Sequence, residues 1–176
     1  MLVGKMVKLV PLERADLARS RAWANEMSLN EDILRVLPVA EEEQEKWYRN
    51  IVEDRSKIVF AIKTTKSGEH IGNTGLYHID WIHRRAEFWI IIGEKRFWNK
   101  GLGAEATALM LAYGFHHINL ARIFLHVSED NKRALSTYKK LNFVLEGRLR
   151  EHYFINGRYA NILVMAILRR DYGLAK

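Results

Sequence analysis

The stretch that most constrains this chain runs from Glu87 to Phe115, "EFWIIIGEKRFWNKGLGAEATALMLAYGF". A run too apolar towards its end for a surface strand stops in a loop holding one Gly-x-Gly. An apolar helix then opens on the glycines. A helix N-terminus offers unpaired N–H groups and a partial positive charge. Gly101 and Gly103 would let an oxyanion approach those groups, and Lys95, Arg96 and Lys100 add charge nearby. The loop is not a P-loop, because no Gly-Lys-Ser/Thr follows. It is not a dinucleotide fingerprint either, since the third glycine position falls on Ala106. Taken alone, it is either an ordinary strand-to-helix turn or a cradle for a phosphate.

The rest of the chain supplies the frame. Its 176 residues, 48% of them hydrophobic, suffice for one core and are too few for two ordinary domains, so one domain over residues 1–176 is expected. "VKLVPL" reads as a strand, and Glu13–Glu26 as a helix with Ala15, Ala18 and Ala22 on one side. "EEEQEKWYRNIVED" reads as a second helix with acids in its first turn. "SKIVFAIKT", "HIGNTGLYHID" and "RRAEFWIII" read as strands, then a helix from Leu102 to His117, the strand "RIFLHVS" and the helix "NKRALSTYKKL". Asn156-Gly157 between two strand-like runs signals a hairpin, because both turn positions want positive φ. The order β-α-α-β-β-β-α-β-α-β-β gives a mixed α/β domain whose sheet is largely antiparallel.

Composition narrows the function classes. There is no cysteine, hence no disulfide framework, thiol nucleophile or Cys-based metal site. No His/Asp/Glu spacing suggests a metal. No apolar run approaches the ~20 residues of a membrane span, and the N-terminal segment lacks a signal peptide's apolar core. A soluble, cytoplasmic protein is expected. The formal charge of +7 suits an anionic cofactor or a nucleic acid better than a polycation. The basic residues are dispersed, so a nucleic-acid surface is not the favoured reading.

"WNKGLGAEA" opening a helix straight after an apolar strand resembles the pyrophosphate loop of the GNAT superfamily of N-acetyltransferases, whose pattern is Gln/Arg-x-x-Gly-x-Gly/Ala. Gly101 and Gly103 match its small positions, and Trp98 stands where the pattern has Gln or Arg. "HRRAEFWIII", the segment from "AYGFHHINLARIFLHVSEDNKRALSTYKKL" through "FVLEGRLREHYFINGRYANILVMAIL", and the opening "VKLVPLERADL" are similar to one branch. That branch holds the spermidine N-acetyltransferases and the ribosomal-protein N-terminal acetyltransferases. The similarity is dense from His83 to Leu168 and thin between Trp23 and Lys57.

The resemblance implies a GNAT-like single domain: a central, mostly antiparallel twisted sheet of about seven strands with about four helices. It implies acetyl-CoA as co-substrate, with no metal. It also implies direct attack by a primary amine in a ternary complex. The cofactor would lie along Trp89, Ile90, Ile91 and Ile92, with a backbone N–H near Ile91 polarising the acetyl oxygen and Gly93 helping the strand splay. Its phosphates would meet Phe97, Trp98, Asn99, Lys100, Gly101, Leu102, Gly103 and Ala104. Asn131, Ala134 and Lys139 on the following helix complete the cofactor set.

Two residues are candidates for proton transfer. Asn131, Ala134 and Tyr138 fall within about 60° of one another on a helix. A phenol with a reference pKa of ~10 suits protonating a departing thiolate. Glu87 shares a strand face with Trp89 and Ile91 and is the candidate for the amine's proton, directly or through water. The alternative for Glu87 is an ion pair with Arg84 or Arg85, and for Tyr138 a core anchor. His126 and His152 are further candidates for the acceptor cleft, His116 and His117 read as surface, and Ser128 beside Glu129 and Asp130 reads as a helix cap.

The acceptor is the least legible part. The spermidine enzymes carry acids in the loop after the first helix. The matching region here, "MSLNEDILRVLPVAEEEQ", departs from their pattern while supplying Glu31, Asp32 and Glu41–Glu43. The sequence favours a peptide N-terminus or another small amine, with a polyamine as the alternative, and the resemblance suggests a homodimer or larger. The competing class is a non-catalytic phosphate- or RNA-binding module.

Overall fold

A computed structural model describes residues 1–29, 34 and 37–173. Glu31 and Asp32 lie outside the described residues. Among these residues eight strands form one sheet: β1 (Leu2–Val3), β2 (Val7–Pro11), β3 (Ile58–Thr64), β4 (His70–Asp80), β5 (Arg85–Ile92), β6 (Arg122–Ser128), β7 (Val144–Ile155) and β8 (Arg158–Leu168). Their order is β1-β2-β3-β4-β5-β6-β8-β7, and β5–β6 is the parallel pair among antiparallel neighbours. The strand beyond the expected seven is β1, too short for sequence periodicity to show. It pairs Leu2 with Leu9 and Val3 with Lys8.

Among the described residues four α-helices cover the sheet: α1 (Leu17–Ala24), α2 (Glu41–Glu53), α3 (Leu102–Ala112) and α4 (Lys132–Lys140). α1 starts later than its alanine spacing predicts. Residues Arg14–Asp16 form a tighter turn first, in which the Asp16 carboxylate accepts the Glu13 N–H at 3.2 Å and pairs with Lys63 at 2.9 Å. α3 ends earlier than predicted, because Tyr113–His117 widens into a π turn. The β7–β8 hairpin turns on Asn156 and Gly157 with φ of 52° and 78°, as the dipeptide predicts.

The period of two along β5 sorts the layers. Phe88, Ile90 and Ile92 face α3 and α4, where they pack with Leu102, Ala106, Met110 and Tyr138 in the main core. Trp89 and Ile91 face the other way and pack with Trp23 and Leu29 near α1. Leu12, Leu17 and Ala61, packed with Trp47, fill the space beneath α2.

One irregularity positions everything that follows. β5 and β6 pair only through Arg85↔Arg122, Ala86↔Ile123 and Glu87↔Phe124. Beyond that, β5 continues on β4 alone to Ile92, and β6 continues on β8 alone to Ser128. The two strands therefore diverge after Glu87 and leave a wedge in the sheet.

Candidate active site

The wedge opens into a cleft of about 440 Å³. Ile90, Ile91 and Ile92 form one wall, and His126, Val127 and Ser128 from β6 form another. Phe97, Trp98, Asn99, Gly101, Leu102, Gly103 and Ala104 of the glycine loop and Asn131, Ala134 and Tyr138 of α4 complete the lining. Most of the predicted set is thus brought together. Trp89, Lys100, Lys139 and Glu87 do not line the cleft. Trp89 packs on Tyr77 across the opposite sheet face, with ring centroids 5.3 Å apart. Lys139 is one residue past Tyr138, so the helix carries it about 100° away. Lys100 is exposed outside the loop.

Hydrogen-bond alternation decides what the β5 backbone offers. The Gly93 N–H bonds the Ile71 carbonyl at 3.0 Å. In an antiparallel ladder every second residue turns the same way, so the Ile91 amide also faces β4. The Ile90 and Ile92 amides face the wedge, where β6 has left no partner. The cleft-facing N–H groups are those on either side of Ile91. Gly93 serves the opposite face: a Cβ there would lie 2.1 Å from the Trp23 ring, so the glycine makes room for that indole.

The glycine loop ends at Gly101, the N-cap of α3, with φ of 83°. That left-handed backbone costs an L side chain about 1–2 kcal/mol, so glycine suits the position. The first intrahelical bond runs from the Glu105 N–H to the Gly101 carbonyl at 3.0 Å. No side chain caps the helix, so the first-turn amides of Leu102, Gly103 and Ala104 stay available to an anion.

Trp98 takes a different job from the polar residue expected there. Its indole N–H donates to the Ile92 carbonyl at 2.7 Å, tying the loop to the end of β5. The Arg133 guanidinium lies 3.6 Å over its ring, and both residues line the cleft. The indole thus seats a cation where its own side chain has none. Arg133 was not among the predicted residues. Of the predicted cations, Lys95 is held by Glu26 at 2.9 Å and Arg96 pairs with Glu69, so acids from distant segments draw both away from the loop.

On α4, Asn131 is the N-cap, its side-chain oxygen accepting the Ala134 N–H at 3.0 Å. Ser128 does not cap this helix. Its hydroxyl accepts the Asp130 N–H at 3.3 Å within the preceding turn. Tyr138 is buried, with Phe88 6.3 Å and Phe143 5.5 Å away between ring centroids. Tyr138 packs in the core and also lines the cleft.

Glu87 sits where β5 and β6 part. Its partners are two histidines rather than Arg84 or Arg85. One carboxylate oxygen meets His126 Nδ1 at 2.7 Å and the other meets His78 Nδ1 at 2.9 Å. The His126 hydrogen bond is the main cause that holds the Glu87 carboxyl below its usual range, against burial. The same bond raises the His126 imidazole above its ordinary value. His126 reaches the cleft, as one of the weaker sequence candidates, whereas His152, His116 and His117 are exposed and do not line it. His78 was invisible to sequence reading. It sits at an irregularity between Tyr77 and Asp80 with φ of 51°, and such a bulge re-aims a side chain that strict alternation would turn away.

Residues 7–144 match the acetyltransferase (GNAT) domain family. The chain belongs to the GNAT acetyltransferases. The spermidine N(1)-acetyltransferase of Escherichia coli (strain K12) is 36% identical over 172 residues, which span 94% of this chain and 88% of that one. Among solved structures, the spermidine N-acetyltransferase from Vibrio cholerae in complex with CoA and spermine superposes with a TM-score of 0.89 at 33% identity, covering 94% of this chain and 97% of the other. A dodecameric structure of the Vibrio cholerae enzyme in an intermediate state gives a TM-score of 0.82 at 31% identity, covering 96% of each chain. This acetyltransferase is therefore an N-acetyltransferase that uses acetyl-CoA as co-substrate. Among its described residues no helix is long and apolar enough to cross a membrane.

Proposed function

We propose that the enzyme acetylates a primary amine of an aliphatic polyamine, with acetyl-CoA and acceptor bound together. One observation carries the choice of acceptor. The likeness to the polyamine enzymes spans 94% of this chain in both sequence and structure, so it is not confined to the half that would hold acetyl-CoA. That favours the polyamine over the peptide N-terminus to which the first half of the sequence pointed. The acids Glu41–Glu43 lend the polyamine no direct support. Glu41 meets Arg21 at 3.6 Å, Glu42 meets Lys46 at 2.9 Å, and Glu43 accepts the Ala40 N–H at 3.2 Å.

The geometry supports a division of labour. The open amides of Ile90 and Ile92 would pair with the amides of the pantetheine arm, as a peptide joins a sheet edge. One of them would polarise the thioester carbonyl. The first turn of α3 would hold the diphosphate. Tyr138 of α4 would give its proton to the sulfur as the C–S bond breaks. A subunit assembly larger than a monomer is part of the same proposal. It would give cover to Trp81, Ile82, Phe154 and Tyr159, all more than half exposed.

The test is release of CoA thiol with spermidine, an N-terminal peptide or an amino sugar as acceptor. Spermidine should give a kcat/KM at least about tenfold above the others, the ratio that 1.4 kcal/mol of differential transition-state binding yields. A peptide or amino sugar exceeding spermidine would overturn the choice of acceptor.

A further inference from the structure

The Glu87 carboxylate bridges two imidazoles, and the three side chains differ in access. His126 is 29% exposed and lines the cleft, Glu87 is 24% exposed, and His78 is 72% exposed at the outer side. The two Nδ1 atoms address different carboxylate oxygens and do not converge on a common point. Among the described residues no such group is placed to hold a metal.

The chemistry of the acceptor makes the arrangement matter. An aliphatic amine arrives as an ammonium with a reference pKa of ~10.4, and its lone pair is available only once a proton has gone. The His126 hydrogen bond holds the Glu87 carboxyl below its ordinary range, far from the ammonium. The same bond holds the His126 imidazole above its ordinary value, nearer to it. Of the two groups, the imidazole is the better-matched base.

We propose that His126 is the general base of the reaction, taking the acceptor's proton on Nε2, and that Glu87 and His78 are positioning residues that hold its ring. A neutral His126 facing a carboxylate must carry its proton on Nδ1, which leaves the Nε2 lone pair on the other side of the ring. Nε2 takes no hydrogen bond among the described residues. The ammonium gives one proton to Nε2, and the resulting imidazolium is stabilised by Glu87. The amine lone pair then forms the C–N bond, and the carbonyl π pair moves to oxygen. When that pair returns, the C–S bond breaks and the sulfur takes the bonding pair and the Tyr138 proton. The phenolate recovers a proton from the nitrogen, leaving the amide, free CoA thiol and one proton on His126 for release to water.

Few other charges face the ring. Val164 is opposite on β8, and Phe124 presents its ring edge-on at 5.9 Å. Arg122 lies beyond Phe124 and is paired with Glu146. From α4, Tyr138, Arg133 and Lys140 line the same cleft, and from β4, His78 reaches Glu87.

The inference rests on the amine-acetylation reading above, and its test is the pH profile of kcat/KM with spermidine. Wild-type enzyme should show an acid limb with its midpoint above 6.5, the ordinary imidazole value. His126→Gln should lose that limb and about a hundredfold in the plateau. Glu87→Gln should move the limb to lower pH by about one unit or more, because an opposite charge has been removed. His78→Gln should move it by less. Acetyl-CoA-induced thermal shifts confirm folding of each variant. An unmoved limb in Glu87→Gln, or His126→Gln within about threefold of wild type, would overturn the assignment. NMR titration of the His126 ring, in wild type and Glu87→Gln, needs no acceptor. If wild type releases no thiol with spermidine, the polyamine reading falls. The ring titration still decides whether Glu87 controls the imidazole, and an unchanged midpoint there overturns the inference separately.

Discussion

The first turn of α3 is held from the far end of the chain, and that tie can be measured. The Glu105 carboxylate accepts three successive backbone N–H groups, from Lys5 at 2.6 Å, Met6 at 2.8 Å and Val7 at 2.9 Å. Glu105→Ala removes all three. The Val7 side is fully buried, so its N–H loses a partner without gaining water, which costs about 1–3 kcal/mol. The other two N–H groups are exposed and turn to solvent at a smaller cost. A total of about 2–4 kcal/mol follows. For a chain of this length the melting temperature should fall by roughly 4–16 °C.

A second substitution isolates the cause. A Cβ on Gly4 would lie 2.7 Å from the Glu105 Cδ and 2.8 Å from its Oε1, so Gly4→Ala must push the carboxylate off the turn. In wild type it should destabilise. In the Glu105→Ala background it should be neutral, or stabilising by about 0.4–1 kcal/mol through the unfolded chain. Urea or thermal unfolding of the four proteins gives the coupling. Equal destabilisation by Gly4→Ala in both backgrounds, or a Glu105→Ala loss below about 0.5 kcal/mol, would refute the reasoning. Acetyl-CoA affinity should weaken in parallel, because the helix end that this tie positions lines the cleft.

Gly101→Ala should cost about 1–2 kcal/mol from its left-handed φ alone and weaken acetyl-CoA binding, read by thermal shift. Tyr138→Phe should lower kcat by about 10²-fold while leaving acetyl-CoA affinity within about twofold, since only the proton donor is removed. The Glu87–His126 pair sets a pH window. The lowered carboxyl contributes stability above pH 4.5 that is lost as pH falls through its folded value, and the raised imidazole contributes below pH 6.5 and loses it as pH rises through its own. The melting-temperature gap between wild type and Glu87→Gln should therefore be widest between pH 4.5 and 6.5.

What could be read in the sequence is what periodicity encodes. The alternation along Phe88–Ile92 gave both layers of the core, the Asn131/Ala134/Tyr138 spacing gave the face of α4 at the cleft, and Asn156-Gly157 gave the hairpin. Features set by remote segments were hidden. Lys95 and Arg96 read as phosphate partners until Glu26 and Glu69 came beside them. Lys139 was counted in the cofactor set with its helix, although helix geometry turns it away from the face of Tyr138. Trp98 looked like a defect because its hydrogen bond to the Ile92 carbonyl, and the Arg133 stacked on it, belong to other elements. His78 depends on a positive φ within a strand, which no side-chain pattern announces. The parting of β5 from β6 after Glu87 leaves no local trace at all.

That parting also bears on solubility. Phe88–Ile92 is an apolar strand whose wedge side has no strand partner beyond the Trp98 bond to the Ile92 carbonyl, a combination that on an outer edge invites another chain to add itself. It carries none of the usual protections, neither a lysine nor a proline. Its position is internal: it lies between β4 and the diverging β6 rather than at an end of the sheet. Acetyl-CoA bound along this strand, as proposed above, would cover it. Slower hydrogen exchange at the Ile90 and Ile92 amides, and a lower tendency to aggregate on warming, should accompany it.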